Sequence, residues 1–280
     1  MDTKRLVKIV GTGLCATLLL AAPAAYASHP LDTEAPETVA PLAVEAEVSY
    51  ELAHNPGGEA GNEGEVSLWV ATGVVKGVDI GVVVPYVMVN PDEGKKESGV
   101  GDVELEAKWN LLEERESVPA LALKAAVTFP TGDDKKGLGS GGNDVTAAVL
   151  ATKSFGPLGF DLHLGYTRLG KVAAAEESAD GETEKPNKNL FAASLAARWS
   201  VIEHLALVAA VRYESPEAKG AAAAVSAVVG AKWRITDNVG IDLGGRFGLT
   251  DTAPDWTLLA SLNFAFGKAE GAAEGEGHGK

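Results

Sequence analysis

The stretch DVELEAKWNLL, residues 102–112, decides the fold class. Its apolar residues occupy every second position from Val103 to Leu111, and polar residues fill the positions between them. Strict alternation predicts a β-strand with one apolar and one polar face, because successive side chains of a strand point to opposite sides. The apolar face could cover the core of a soluble protein or face lipid in a transmembrane barrel. The rest of the chain must separate these two possibilities.

Residues 1–27 carry the pattern of a secretory signal peptide. A basic start, a short apolar stretch and an Ala-Tyr-Ala cleavage site at 25–27 follow one another, so we expect this segment to be removed. A retained membrane anchor is the alternative, and the shortness of the apolar stretch disfavours it. The one cysteine, Cys15, lies inside this segment. The mature chain therefore offers neither a disulfide nor a thiolate metal site.

Beyond residue 27 the sequence has no apolar run of about 18 residues, so it predicts no transmembrane helix. An exported chain of this kind is periplasmic, secreted or an outer-membrane barrel. Alternating strands escape hydropathy scans, and the mean hydropathy of +0.05 is compatible with a barrel. The net charge of −15 argues against nucleic acid as a partner.

The rest of the chain divides into three parts. Residues 28–39 are acidic and Pro-rich and are predicted to be a disordered lead-in, and residues 267–280 are predicted to be a disordered acidic Gly/Ala/Glu tail. Residues 40–266 are predicted to form twelve strands, most of them long enough to cross a bilayer. These strands are placed at 40–52, 65–75, 79–89, 102–112, 119–129, 144–154, 159–169, 189–199, 204–214, 222–233, 239–249 and 255–266.

The connections between these strands alternate in length. Long polar segments such as 53–64 and 171–187 are followed by tight ones such as 76–78 and 155–158. Long loops at one end and short turns at the other are typical of an up-and-down outer-membrane barrel. The sequence therefore predicts an all-β fold, an antiparallel up-and-down transmembrane β-barrel of about 12 strands.

Aromatic residues fall near the strand ends in the apolar register, which favours the barrel over a soluble sandwich. Amphipathic rings prefer the two membrane interfaces. If the first strand runs outward from the periplasm, one predicted belt comprises Tyr50, Tyr86, Phe129, Tyr166, Tyr213 and Phe247. The other comprises Trp109, Phe155, Trp199, Trp233 and Phe266. Trp69 is an exception: it falls in the polar register, so it points into the lumen or the register slips there.

The same register turns many charged side chains into the lumen. They could line a polar pore whose acidic and basic walls orient solutes, or they could pair across a narrow interior and plug it. The sequence leaves both interpretations open. The candidate selectivity residues are Glu45, Glu47, Asp102, Glu104, Glu106, Lys108, Lys124, Asp161, His163, Arg198, Arg212, Lys232 and Arg246.

Three stretches resemble an outer-membrane transporter family named for the MetA pathway of phenol degradation. They are GVGDVELEAKWNLL (99–112), PALALKAAVTFPTGDD (119–134) and LATKSFGPLGFDLHLGYTRLG (150–170). The match rests on Gly99, Gly101 and Asp102, on PTGD at 130–133 and on LGY at 164–166, and it extends over about 40–266. The resemblance implies an outer-membrane barrel that transports small organic molecules. It supplies no catalytic or solute-contacting residues.

The leading hypothesis is a passive, porin-like channel for small organic solutes, aromatic or hydrophobic compounds among them, in the outer membrane of a Gram-negative bacterium. Its expected partners are outer-membrane lipid and the solute, and no cofactor or metal is expected; the oligomeric state is left open. A hydrophobic solute could leave sideways near Pro85, which lacks a backbone donor, but a proline that is simply tolerated at a strand end is the favoured interpretation. A second hypothesis is a plugged scaffold that presents the loops at 130–143 and 171–187. An outer-membrane enzyme is a third, disfavoured because no His stands beside a Ser in a nucleophile arrangement.

Overall fold

The computed structural model describes Leu31 and residues 33–55, 61–91, 95–172, 176–177, 183–184 and 186–267. The predicted signal peptide and the predicted tail beyond Gly267 lie outside these residues. The strands are β1 (Val44–His54), β2 (Gly61–Val75), β3 (Val78–Pro91), β4 (Glu97–Val100), β5 (Val103–Leu112), β6 (Ala120–Phe129), β7 (Asp144–Phe155), β8 (Leu158–Arg168), β9 (Glu176–Glu177), β10 (Thr183–Glu184), β11 (Asn189–Ile202), β12 (Leu205–Glu214), β13 (Ala224–Thr236), β14 (Val239–Gly248) and β15 (Trp256–Phe266).

Twelve of these strands form one closed antiparallel barrel. Neighbours along the chain pair in order from β2 to β15. The barrel closes because β1 pairs with β15 over its whole length, from Val44 opposite Phe266 to His54 opposite Trp256, and lies beside β2 on its other side. β4 pairs with β3 in line with β5, and β9 and β10 form a separate small hairpin. The predicted twelve-stranded up-and-down barrel is confirmed.

The two ends of the barrel differ as the sequence predicted. At one end, two-residue turns join β2 to β3, β7 to β8, β11 to β12 and β13 to β14. Gly77 and Gly156 have positive φ angles in two of these turns, a conformation that favours glycine. At the opposite end the connections are longer, and the one between β6 and β7 contains a 3₁₀ helix at Asp134–Lys136.

In β5, the apolar face lies on the outside of the barrel and the polar face on the inside. Trp109 is 56% exposed on the outside of the barrel, whereas Lys108 beside it is 2% exposed inside. The other strands repeat this alternation, so large apolar side chains cover the outer wall and polar side chains are enriched on the inner wall. Within the described residues, no helix is long and apolar enough to span a membrane.

The wall is irregular beside Pro85. β3 pairs with β5 from Val78 to Val83, and with β4 only from Tyr86 onward. Between these two ladders, Gly101 donates its backbone N–H to the Pro85 carbonyl at 2.8 Å. Pro85 has no N–H to return, so the ladder is incomplete at this point.

Candidate functional site: an occupied barrel lumen

A segment of the chain that precedes β1 lies inside the barrel. We call Leu31 and residues 33–42 the N-terminal insert. Leu31, Glu34 and Val39 are buried against the inner wall. The prediction of a disordered lead-in at 28–39 is therefore corrected for the described part of that segment. Its acidic and Pro-rich composition suggested disorder, but the lumen supplies partners that composition does not reveal.

The insert is anchored first at the short-turn end of the barrel, against β2. Leu42 donates its N–H to the Gly73 carbonyl at 3.0 Å, and Ala43 donates to Ala40 to close a turn. A Cβ at Gly73 would stand 2.2 Å from the Ala40 carbonyl oxygen. Only glycine leaves room for the backbone of the insert at this position.

A second anchor is an apolar cluster around Trp69. Val39 packs with Trp69 and Val83 inside the barrel. The Val39 N–H donates to a carboxylate oxygen of Asp79 at 2.9 Å, and the Trp69 indole N–H donates to Glu106. The first of the two alternatives for Trp69 is thus confirmed: the ring points into the lumen, and the insert gives it an apolar partner.

A third anchor is a buried ion cluster inside the barrel. The Glu34 carboxylate receives Lys108 on one oxygen and Lys124 on the other, both at 3.1 Å. Lys124 also pairs with Glu106, and Lys108 reaches the Ala35 carbonyl at 3.4 Å. All three charges of the Glu34 pairs are almost completely buried. Paired charges with several hydrogen bonds are the form in which proteins tolerate charge away from water.

The fourth anchor lies across the lumen, where Leu31 enters an apolar hollow. Gly230 of β13 and Gly244 of β14 face each other as cross-strand partners. A Cβ on either glycine would come within 2.7 Å of the Leu31 methyl carbons. Buried apolar side chains complete the hollow: Ala196, Val208, Ala210, Val228 and Leu259. Next to it, the hydroxyls of Thr33 and Ser194 are hydrogen bonded at 3.2 Å.

The remaining predicted lumen residues pair mostly along the wall and not across the interior. Arg198 lies 3.8 Å from Asp161 on the adjacent strand, and Arg246 lies 2.8 Å from Glu51. Arg212 contacts Glu214 two residues further along the same strand at 2.9 Å. On the inner wall, Glu45, Glu47 and Asp102 are buried, and Glu104, His163 and Lys232 are partly exposed.

The alternation predicts that Glu106, Lys108 and Lys124 face the lumen, but Glu34, the partner of the two lysines, was not predicted. The signal was present in the sequence. Leu31 and Val39 are apolar residues within an otherwise polar lead-in, and Trp69 is a large ring in a polar register. An aromatic ring that points into the lumen and apolar residues in a polar segment together indicate that the segment packs inside the barrel.

The aromatic residues predicted for the belts lie on the outer wall. Most of them are near strand ends, but Tyr50 is close to the middle of β1, opposite Ala260. The most exposed are Trp109, Phe155, Trp199 and Trp233, all close to the short-turn end. Trp256, which was not among the predicted belt residues, stacks on His54 with ring centroids 5.2 Å apart.

At the long-loop end, the connection between β6 and β7 folds back onto the barrel. The buried Asp102 carboxylate accepts the N–H groups of Gly132 at 2.8 Å and Ser140 at 2.6 Å. A Cβ at Gly139 would stand 2.2 Å from this carboxylate. Two of the motifs that carried the family resemblance, one at 99–102 and one at 130–133, therefore meet in space.

Two carboxylates outside the barrel wall have lowered pKa values. The hydrogen bond from Lys171 lowers the pKa of Asp134 in the β6–β7 connection. At the opposite end, the hydrogen bond from Lys153 lowers the pKa of Glu114. Among the described residues, no group of three or more His, Cys, Asp or Glu side chains could hold a metal ion.

Residues 30–266 match the family described as "Putative MetA-pathway of phenol degradation". The chain belongs to this family. The resemblance seen at Gly101, Asp102 and the PTGD motif is therefore confirmed over nearly the whole barrel.

Solved structures share the fold. The crystal structure of an outer membrane channel from Pseudomonas putida F1 superposes with a TM-score of 0.63 at 17% identity, over 82% of this chain and 98% of that chain. The NanC porin gives 0.50 at 11% identity, and the KdgM porin 0.50 at 9%; each covers 79% of this chain and 98% of its own. At these identities the likeness concerns the fold alone. No curated protein matches the chain.

Proposed function

We propose that the protein is an outer-membrane channel for the passive passage of small organic solutes. The single observation that carries this proposal is the closed barrel with an apolar outer wall and a charged inner wall. An apolar outer wall suits lipid, and closure leaves no unpaired backbone at a sheet edge within the bilayer. A charged inner wall suits a water-filled path. The porins and the channel that share the fold support the proposal by analogy.

The proposal includes the location and the route to it. Outer-membrane lipid would contact the outer wall, with the aromatic residues near both rims at headgroup level. Residues 1–27 would direct export and then be removed. The charged lumen residues named in the sequence analysis would set the selectivity among solutes, because rings of fixed charge govern which ions and polar solutes pass.

The N-terminal insert makes this a channel that is closed in its resting state. A barrel of twelve strands has a lumen between the filled interior of eight strands and the open pore of sixteen. The insert fills much of that lumen, from Gly73 on one side to the hollow at Gly230 on the other. Solutes would pass when the insert moves aside.

The presence of the insert in the lumen also favours a second candidate, a permanently plugged barrel that serves as a scaffold. In that case the insert would be a fixed part of the core. The connection at 130–143, tied to Asp102, would then be the surface presented to a partner.

Single-channel recording separates the two candidates. The chain from Ser28 and a chain that begins at Ala43 would be refolded and inserted into planar bilayers with a salt gradient. We expect brief openings from the first and steady conductance from the second, with the reversal potential reporting which lumen charges dominate. Correctly folded barrels that stay silent in both forms would reject the channel and favour the scaffold.

A further inference from the structure

We propose that the lumen contains a binding site for small amphipathic carboxylates, which the N-terminal insert occupies as a tethered ligand. The site consists of Lys108 and Lys124 on one wall and the hollow at Gly230 and Gly244 on the other. The proposal rests on the proposed channel function and specifies its solute class: one carboxylate joined to an apolar group. Such a solute would displace the insert and open its own path.

The two lysines form the acid-binding half of the site. Of the wall carboxylates near the lysines, Glu106 already takes both Lys124 and the Trp69 indole, and Asp79 accepts the N–H of Val39 in the insert. Lys108, in contrast, makes its hydrogen bonds to Glu34 and to the Ala35 carbonyl, both of which belong to the insert. When the insert leaves, this ammonium group loses both protein acceptors and is left to water. An incoming carboxylate replaces them with a charge-assisted hydrogen bond, which is stronger than one between neutral groups.

The hollow forms the apolar half. It is a small apolar surface on the inner wall, and it exists because two glycines face each other. Leu31 fills it and is 3% exposed. An apolar group of similar size gains the same burial, at about 25 cal/mol for each Å² removed from water.

The spacing of the two halves sets the size of the ligand. Leu31 and Glu34 are three residues apart, so their Cα atoms are at most about 11 Å apart along an extended chain. A medium-chain fatty acid such as octanoate has a comparable reach. Between the halves, the Ser194 hydroxyl that now bonds Thr33 could meet a polar substituent on the solute.

Labelling of a single cysteine tests displacement directly. Cys15, in the segment removed from the mature chain, is the one native cysteine, so Thr33→Cys gives the chain from Ser28 one thiol, which lies inside the barrel. Its reaction with a bulky maleimide in proteoliposomes would be timed with octanoate, with 1-octanol as the neutral counterpart, and with acetate as the carboxylate that lacks an apolar group. We expect octanoate to raise the rate by about tenfold or more, and the other two by less than about twofold.

Two variants assign the effect to the site. Lys108→Gln should abolish most of the octanoate response. Glu34 belongs to the insert and not to the wall, so Glu34→Gln should loosen the insert and leave the lysines in place. Labelling should therefore be faster without any added solute, and less octanoate should be needed to reach half of its full effect. Glu114→Gln is the matched control: it removes a carboxylate 2.8 Å from a lysine at the barrel rim and should behave like the parent.

The outcomes are distinguishable from failure of the channel proposal. Equal responses to octanoate and 1-octanol, or an unchanged response in Lys108→Gln, would overturn the carboxylate site even if the shortened chain conducts. A selective octanoate response in a barrel that never conducts would keep the site and reject the channel, because labelling does not require conduction.

Discussion

Replacing Leu31 with alanine should loosen the insert by an amount that its burial fixes. The change removes three carbons from a side chain that is 3% exposed. At about 0.8 kcal/mol per buried carbon, the docked state loses roughly 2.4 kcal/mol. Since 1.4 kcal/mol is a factor of ten, the ratio of open to closed channels should rise about 50-fold.

The assay is single-channel open probability of the chain from Ser28, recorded at one voltage and one salt concentration. Leu42→Ala is the matched control, because Leu42 belongs to the same insert but is 90% exposed. It loses the same three carbons with almost no burial to forfeit. If Leu31→Ala opens no more often than Leu42→Ala, the insert does not gate conduction through its burial in the hollow.

Three further predictions concern other contacts. Gly73→Ala should expel the anchor of the insert, because its Cβ would collide with the Ala40 carbonyl; higher open probability would show this, and unchanged recordings would contradict it. Trp69→Phe should destabilise the barrel by about 1–3 kcal/mol, because a buried carboxylate loses its indole donor; urea unfolding in lipid measures the change, and an unchanged midpoint would exclude a stabilising role for that bond. Because the pKa of Asp134 is lowered, its contact with Lys171 stabilises the β6–β7 connection fully above about pH 4. This stabilisation is lost as the pH falls further and the carboxylate is protonated. Hydrogen exchange in the connection around Asp134, corrected for the intrinsic pH effect, should therefore accelerate below pH 4 in the parent and show no such step in Asp134→Asn.

The strands were predictable because a barrel wall constrains every second residue. Lipid on one side and water on the other enforce strict alternation, as at Val103–Leu111. The break before β5 was less visible. The predicted strand began at Asp102, and the pairing of β4 with β3 before it was not predicted. The gap in the ladder opposite Pro85 arises because Pro85 has no N–H to donate.

The occupied lumen does not follow from the periodicity of the insert. Residues 33–42 show neither the 3.6-residue period of a helix nor the two-residue period of a strand, and their hydrogen bonds go to residues far along the chain, such as Ser194. Alternation alone predicts that Lys108 and Lys124 face the lumen. Their partner Glu34 lay in a stretch whose composition suggested disorder, and only the folded barrel brings it near.

The insert joins β1 through the tight turn at Ala40–Ala43, so it cannot diffuse away when it leaves the lumen. A ligand held by so short a connection is present at an effective concentration in the millimolar range. Under the proposed mechanism, a free solute of equal intrinsic affinity must reach a similar concentration before half the channels open. The threshold is therefore set by the length of the tether as well as by the site. Lengthening the chain between Val39 and Val44 would loosen the anchor at Gly73 and lower the threshold, while the contacts of Leu31 and Glu34 in the lumen stay the same. The channel would open when the solute is abundant and stay closed when only traces of it are present.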